Sequence, residues 1–251
     1  MAFCAAWASL FRQSDGSTSP VKLGINFVTA SASHAQLAGL ELQQDLAGLG
    51  IAGVVWNCAR VLVEFFQRNP ELLDHKQVLE LGAGTGAVGL ALAKTTKLQS
   101  VLLTDLEDVV ELTKTNVSTT AQVDSTVSVL VEQGRLEART YRWGSTIDNW
   151  MLDCDVVVCS DCLYEANVYA DLLKSLITIT HQKSHCAVYV AYKQRHPEQE
   201  RSFFSKAAQC FDISVWSDQD DTPLCLHEDR IFICRFKRFA EAEENNHDDD
   251  N

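Results

Sequence analysis

The feature that most constrains the fold is the stretch from Gln77 to Leu90, where a short apolar run ends in three alternate glycines and an apolar helical pattern follows. This order is typical of a buried parallel strand that turns tightly into a helix. Glycine adopts positive φ easily and leaves room for a ligand against the backbone. The helix N-terminus adds free N–H groups and a partial positive charge. The stretch therefore predicts a strand, a ligand-binding loop and a helix.

Two classes of cofactor compete for such a loop. The spacing Gly84-x-Gly86-x-x-Gly89 fits the dinucleotide fingerprint, in which the first glycine ends the strand so that a pyrophosphate reaches the helix terminus. Here the glycine that ends the strand is Gly82, and Glu80 lies two residues before it. The pattern Glu-x-Gly-x-Gly-x-Gly resembles the first motif of S-adenosylmethionine-dependent methyltransferases. We favour that methyl donor over a dinucleotide and over a glycine turn without a ligand.

Strand and helix patterns alternate from the glycine motif onward, as in a parallel α/β sheet covered on both faces. The sequence predicts seven sheet strands near residues 77–81, 100–105, 135–142, 154–160, 185–192, 211–216 and 230–238. Helices are expected near residues 54–68, 86–97, 107–118, 167–180 and from Pro197 onward. The predicted class is an α/β, seven-stranded, Rossmann-like methyltransferase fold with an N-terminal strand or hairpin extension.

Four segments are expected along the chain. Residues 1–20 have a loop composition and predict a mobile arm. Residues 21–52 hold two short strand patterns, at Lys22–Thr29 and Leu37–Asp45. Residues 53–238 form the predicted methyltransferase domain, and residues 239–251 a disordered acidic tail.

The charge of the chain favours a protein partner over nucleic acid. The formal net charge is −13, and removing the six acids of residues 241–251, a stretch with no lysine or arginine, leaves −7. Nucleic-acid affinity comes largely from neutralised phosphates, so we expect no nucleic-acid partner and instead a basic peptide or protein. No apolar run approaches the ~18 residues of a membrane span. We therefore expect no membrane contact. The expected location is the cytoplasm, with the nucleus as a second compartment, and the expected oligomeric state is a monomer.

The cysteines do not predict a metal site. Nine cysteines, an odd number scattered through apolar segments, are typical of reduced, buried thiols. Cys154, Cys159 and Cys162 do have the Cys-x4-Cys-x2-Cys spacing of a plant-type iron–sulfur site. The residues between the first two read as a central strand, which cannot wrap a cluster. We therefore predict no metal.

Several short segments together carry a narrower resemblance. They are the glycine motif, Val54-Val55-Trp56-Asn57-Cys58-Ala59, Thr104-Asp105-Leu106-Glu107, Arg142-Trp143-Gly144 and Ser160-Asp161-Cys162-Leu163-Tyr164. From about Gly53 to Phe236 the chain resembles the seven-stranded protein-lysine methyltransferases called methyltransferase family 16. Within that family, Tyr192-Lys193-Gln194-Arg195 and Glu228-Asp229-Arg230-Ile231 resemble the members that methylate valosin-containing protein, an AAA-type ATPase. The resemblance implies a protein substrate of the ATPase or chaperone class.

The resemblance also implies a site for S-adenosylmethionine, with S-adenosylhomocysteine as its product. Trp143 is expected to cover the adenine, with Gly144 allowing close approach, and Trp56 to close over the donor. Asp105 ends the strand after the glycine motif, about 20 residues on, where an acid is placed to bind ribose hydroxyls. The cofactor-binding residues expected in full are Trp56, Glu80, Gly82, Ala83, Gly84, Gly86, Asp105, Leu106, Trp143 and Ser160.

Asp161 and Tyr164 are the candidate catalytic residues, expected at the carboxyl end of a central strand, where open α/β sheets bind ligands. By resemblance, they line the place where the methyl donor meets the target nitrogen. Asp161 would hold the incoming ammonium, and Tyr164 would offer its ring for a cation–π contact. The residues alone leave open that Asp161 caps a helix and that Tyr164 and the tryptophans fill the core.

Two alternatives to a protein-lysine N-methyltransferase remain at this point. One is a methyltransferase for another nucleophile, such as a glutamine amide or a nucleic-acid base. Such enzymes often carry Asn-Pro-Pro-Tyr where this chain has Ser160-Asp161-Cys162-Leu163-Tyr164. The other is a catalytically silent module that binds the cofactor and a partner, against which the acids Glu80, Asp105 and Asp161 argue.

Overall fold

A two-stranded hairpin precedes a seven-stranded sheet in the computed structural model, which describes residues 34–181, 183, 185–216 and 230–239. The strands are β1 His34–Leu37, β2 Leu40–Gln43, β3 Gln77–Leu81, β4 Ser100–Asp105, β5 Leu136–Thr140, β6 Val156–Ser160, β7 Ala187–Lys193, β8 Phe211–Trp216 and β9 Ile231–Arg238. The helices are α1 Leu46–Leu49, α2 Asn57–Arg68, α3 Ala87–Thr95, α4 Glu107–Val123, α5 Ser125–Glu132, α6 Asn149–Leu152, α7 Tyr169–His181 and α8 Pro197–Ala207. Short 3-10 turns cover Gly50–Gly53, Pro70–Leu72 and Ala166–Val168.

The sheet has the strand order β5-β4-β3-β6-β7-β9-β8, which confirms the predicted seven-stranded α/β fold. Strands β3 to β7 pair in parallel, whereas β9 runs antiparallel to both β7 and β8. The expectation of a parallel sheet was therefore wrong for β9 alone, because β8, antiparallel to β9, runs in the same direction as β7. The order reverses between β3 and β6, and open α/β sheets bind ligands beyond the carboxyl ends at such a point.

The core lies on both faces of the sheet. Successive residues of β3 point to opposite faces, so Val78 packs in one apolar cluster while Leu79 and Leu81 pack in the other. Helices α2 and α3 cover the first face, and α7 and α8 cover the second. Two buried faces explain why the central strands read as continuous apolar runs instead of alternating ones.

The N-terminal extension differs from the predicted strand at Leu37–Asp45. That stretch contains a turn at Ala38 and Gly39, whose φ values of 52° and 72° suit a two-residue hairpin connection. The hairpin β1–β2 results. The strand predicted at Lys22–Thr29, the arm and the acidic tail from residue 240 lie outside the described residues.

The helix boundaries show two further differences. Helix α2 begins at Asn57, not at residue 54, and α4 continues beyond residue 118 to Val123. Helix α5, which the sequence analysis missed, begins because the Asp124 side chain accepts hydrogen bonds from the backbone N–H groups of Thr126 and Val127. Among the described helices, none alone is long and apolar enough to cross a membrane, and only the bent pair 46–53 and 57–68 reaches that length and composition together.

Candidate active site

Three glycines shape the loop between β3 and α3, residues 82–86, which is called the glycine loop below. The loop lies at the carboxyl edge of the sheet, where the parallel strands end. Gly82, Gly84 and Gly86 have φ values of 71°, 56° and 77°, a region that side chains other than glycine rarely adopt. The backbone N–H groups of Gly82 and Ala83 both donate to the Thr104 carbonyl oxygen, at 2.9 and 3.0 Å. The loop is thereby tied to β4, and Gly86 leads directly into α3.

Three loops meet at Gly82. A Cβ atom added to this glycine would lie 2.9 Å from Cζ2 of Trp143 and 3.0 Å from Sγ of Cys162. Trp143 follows β5 and Cys162 follows β6, so the loops after β3, β5 and β6 converge on one point. The Cys162 thiol also donates to the Leu81 carbonyl oxygen at 3.2 Å. The structure therefore brings the glycine motif, the Trp element and the Asp161–Tyr164 element together.

Asp105 lies directly on the glycine loop. Its carboxylate oxygens accept from the backbone N–H groups of Gly84 and Leu106, both at 2.7 Å. Burial raises the pKa of Asp105, and the two hydrogen bonds partly offset that effect. Leu106, at the start of α4, is 39% exposed and offers an apolar surface beside the carboxylate. Binding of ribose by Asp105 stays a prediction, with the side chain at the expected edge.

Glu80 lies inside the fold and not on the edge. It is 1% exposed, and its carboxylate accepts from the backbone N–H of Gly89 at 2.8 Å. Burial raises the pKa of Glu80 to about 8. The side chain points toward α3, because its neighbours Leu79 and Leu81 point to the opposite face. The hydrogen bond from Gly89 to Glu80 joins β3 to the first turn of α3, so Glu80 stabilises the glycine loop from the interior of the fold.

The two tryptophans contact different parts of the fold. Trp143 is half-buried against the cluster that holds Leu81, whereas Trp56 precedes α2 and donates from Nε1 to the Ile51 carbonyl oxygen at 2.8 Å. Gly144 lies close to a side chain of α7, and the predicted approach of an adenine to this glycine stays a prediction. A Cβ atom on Gly144 would lie 2.6 Å from Oδ1 of Asp171.

The segment before α2 passes over the glycine loop. The Ala52 carbonyl oxygen would lie 2.8 Å from a Cβ atom added to Gly84, so the two backbones touch. Asn116 of α4 holds the hairpin to the same loop, since its side-chain amide donates to the carbonyl oxygens of Gln43 and Thr85 at 3.0 and 2.9 Å. The N-terminal extension therefore supports the loop, a role that the sequence did not reveal.

Asp161 follows Ser160 at the carboxyl end of β6 and has a φ of 57°. Its backbone N–H donates to the Ala191 carbonyl oxygen at 2.7 Å. The helix-cap alternative is wrong, because the next helical turn begins only at Ala166 and has no side-chain cap. Both carboxylate oxygens of Asp161 instead accept from the Arg195 guanidinium at 2.7 Å.

Tyr164 is half-buried, three residues beyond Asp161. Burial and the nearby groups Cys162, Asp105 and Glu165 raise the pKa of Tyr164 to about 12, so its phenol stays neutral. Ser160 is also partly exposed. The roles of these residues stay predictions, and their positions at one edge agree with them.

Arg195 is the functional candidate that sequence reasoning missed. Tyr192-Lys193-Gln194-Arg195 was noticed only as a resemblance. The sequence did contain one indication of this role. Arg195 lies just past the carboxyl end of β7, the strand that pairs with β6, which Asp161 follows. Within the described ranges, no group of three or more His, Cys, Asp or Glu side chains could hold a metal ion.

Comparisons with known proteins agree with this arrangement. The sequence pattern of a protein family, described as lysine methyltransferase, matches residues 34–210 of this chain. Protein N-lysine methyltransferase METTL21A of Xenopus tropicalis is 30% identical over 145 residues, which cover 58% of this chain and 63% of the relative. Protein-lysine N-methyltransferase EFM6 of Saccharomyces cerevisiae is 27% identical over 208 residues, covering 72% of this chain and 79% of the relative.

A solved structure supports the fold alone. The methyltransferase domain of bacterial CtHen1 superposes with a TM-score of 0.51 at 15% identity, and the match covers 72% of this chain and 98% of that structure.

Proposed function

This chain belongs to the lysine methyltransferase family, and we propose that it transfers a methyl group from S-adenosylmethionine to the side-chain amine of a lysine in a protein. Its class, protein-lysine N-methyltransferase, follows from the family and from relatives that carry this name. The observation that carries the proposal is the convergence at Gly82 of the loops after β3, β5 and β6.

The residues at this edge fit the proposed donor. The glycine loop is a cradle that any side chain at Gly82 or Gly84 would fill. Asp105 has two carboxylate oxygens for ribose hydroxyls, and Leu106 and Trp143 offer apolar surface for the adenine. The bound donor supplies a methyl group on a sulfonium, which is an electrophile. The glycine loop follows β3, one of the two strands at the reversal of strand order, where a sheet of this type is expected to bind its ligand.

The reaction requires positioning more than acid–base chemistry. A bound donor would supply its methyl group to the lone pair of the lysine nitrogen; its carbon–sulfur bond would break with the electrons going to sulfur, and the methylated ammonium would later release a proton to water. Good positioning of two reactants is worth roughly 7–11 kcal/mol. The lysine must first lose a proton, which near neutral pH costs roughly 4 kcal/mol from a pKa of about 10.4. We propose that Asp161 and Tyr164 orient this amine.

The cofactor proposal is tested by calorimetry. We expect S-adenosylmethionine and S-adenosylhomocysteine to bind in the low-micromolar range, roughly −8 kcal/mol, and NAD to give no heat of binding. Gly84→Arg should abolish donor binding because the added side chain fills the loop. Tight NAD binding without donor binding would contradict the proposal.

The substrate proposal is more specific than the family. Its leading candidate is valosin-containing protein or a related ATPase or chaperone, on the basis of the resemblance around Tyr192–Arg195, and its context is a cytoplasmic and nuclear monomer without nucleic-acid or membrane partners. The net charge of −13 favours a basic partner surface. Incubation of a cytosolic extract with tritiated donor, with and without the enzyme, should label a small set of proteins that includes the candidate. Labelling of other proteins but not of that ATPase would remove the candidate and keep the class.

A further inference from the structure

The carboxylate of Asp161 is already engaged before any substrate arrives. The Arg195 guanidinium donates from Nη1 to Oδ1 and from Nη2 to Oδ2, both at 2.7 Å. Asp161 is 8% exposed, so the pair is screened only weakly by water. Two parallel hydrogen bonds between planar groups are the strongest and most directional form of this ion pair. A target ammonium therefore meets a neutralised carboxylate at this edge.

Arg195 is itself held by a buried acid. Oε1 of Glu200 accepts from the backbone N–H groups of Arg195 and His196, at 2.7 and 2.8 Å, and Glu200 is fully buried. The guanidinium carbon lies 6.0 Å from the centre of the Trp56 ring. The loop between β7 and α8 is thus fixed so that Arg195 reaches across to β6.

Two of the side chains around Asp161 and Arg195 stay neutral, and further charges lie close to the pair. Cys58 of α2 approaches both, and burial raises the pKa of its thiol well above the usual value, so it stays neutral. Burial likewise raises the pKa of Tyr169 of α7 to about 12. Lys193 at the end of β7 adds a further positive charge nearby, and the carboxylate of Glu200 on α8 accepts from the backbone N–H groups of Arg195 and His196.

We propose that Arg195 is a positioning residue for methyl transfer, which holds and neutralises Asp161 so that the site accepts the target lysine as an uncharged amine. The inference rests on the proposed function and adds the way in which the site selects the reactive form of its substrate. A lone carboxylate would bind lysine as the ammonium, which has no lone pair to attack. With Arg195 in place, the carboxylate still accepts a hydrogen bond from the amine but no longer favours its protonated form.

The test compares charge variants over a range of pH. Arg195→Gln removes the positive charge, Arg195→Lys keeps it without the paired hydrogen bonds, and Asp161→Asn with Arg195→Gln removes both charges. Arg201→Gln is the matched control, because Arg201 lies on α8 in an exposed ion pair with Glu198 at 3.4 Å. The substrate is the protein that the wild-type enzyme labels most strongly in extract, purified. Rates and KM are measured between about pH 7 and pH 11, spanning the lysine pKa of about 10.4.

In Arg195→Gln, kcat near neutral pH should fall about tenfold or more while KM stays the same or falls, and the rise of kcat should move up by about one pH unit or more. Arg195→Lys should restore most of the wild-type dependence of kcat on pH. In the double variant, the pH at the midpoint of the rise in kcat should return toward the wild-type value. Arg201→Gln should behave as the wild type. Melting curves and calorimetry with S-adenosylhomocysteine show whether each variant is folded.

Several different results would contradict the proposed role of Arg195. An equal loss of kcat at every pH in Arg195→Gln, or a double variant shifted as far as the single one, would overturn the inference and leave Arg195 a purely structural residue. If Arg195→Gln fails to fold, Arg195→Lys and the double variant decide: a shifted midpoint in either one contradicts the inference. If the wild type labels no lysine, the proposed function fails and this inference fails with it.

Discussion

Substitution of Gly84 by alanine is expected to damage donor binding through one backbone contact. Gly84 has a φ of 56°, and a Cβ atom there would lie 2.8 Å from the Ala52 carbonyl oxygen. Gly134 is the matched control, since its φ is 65° and the nearest atom to its added Cβ is a flexible carboxylate oxygen of Glu137 at 3.7 Å. Both substitutions strain the backbone, but only Gly84→Ala forces two chain segments apart.

The magnitudes follow from these contacts. A left-handed conformation costs an alanine roughly 1–2 kcal/mol, which applies to both variants. Overpacking at Gly84 adds about 1–3 kcal/mol, because a backbone oxygen cannot rotate away. For a domain of this size, each kcal/mol lowers the melting temperature by roughly 2–4 °C. The hydrogen bond from the Gly84 N–H to Asp105 is also displaced, so donor affinity should fall about ten- to a hundredfold, as for a hydrogen bond to a charged group.

The assay is calorimetry with S-adenosylhomocysteine alongside thermal melting, at a temperature where both variants are folded. Gly134→Ala should lose stability and bind as the wild type, whereas Gly84→Ala should lose more stability and most of its affinity. Wild-type affinity in Gly84→Ala would refute the placement of the donor on this loop. Equal melting temperatures in the two variants would refute the steric role of Ala52.

Three further predictions concern side chains at or behind the edge. Asp161→Asn should keep the fold and donor affinity but lower lysine methylation about ten- to a hundredfold at subsaturating substrate; full activity would remove Asp161 from the site. Trp143→Ala should weaken donor affinity in calorimetry while transfer at saturating donor partly persists, and unchanged affinity would make Trp143 a core residue only. Because the folded pKa of Glu80 is about 8, this carboxyl contributes stability below its unfolded pKa that is lost as the pH rises toward 8. Urea unfolding of Glu80→Gln should therefore show a smaller loss of stability between about pH 5 and pH 8, and an equal loss in both proteins would contradict the raised pKa.

The strands and the loop were predictable because their signals are local. Apolar runs bounded by glycine or acids located β3, β4 and β6 within two residues, and Ser160-Asp161 marked the end of β6 correctly. The turn at Ala38 was missed because alanine is an uncommon residue at positive φ. Helix α5 was missed because its start depends on a single capping side chain, that of Asp124.

The site was predictable as a set of positions but not as a set of contacts. Asp161 pairs with Arg195, 34 residues away in the chain, and nothing local marks that partner. Glu80 was expected at the ligand because it precedes Gly82 by two residues, yet the side chain lies between β3 and α3. The orientation of a strand residue depends on which helix packs on its face, which is a tertiary property.

The most direct test of the central claim is the chemical identity of the methylated group. The protein labelled most strongly by the wild-type enzyme is hydrolysed completely, and its radioactivity is separated by amino-acid chromatography. We expect the label to co-elute with Nε-methylated lysine and to be absent from a reaction with Gly84→Arg. Label in methylated glutamine, in arginine or in a nucleic-acid fraction would contradict the claim that this carboxyl edge methylates lysine.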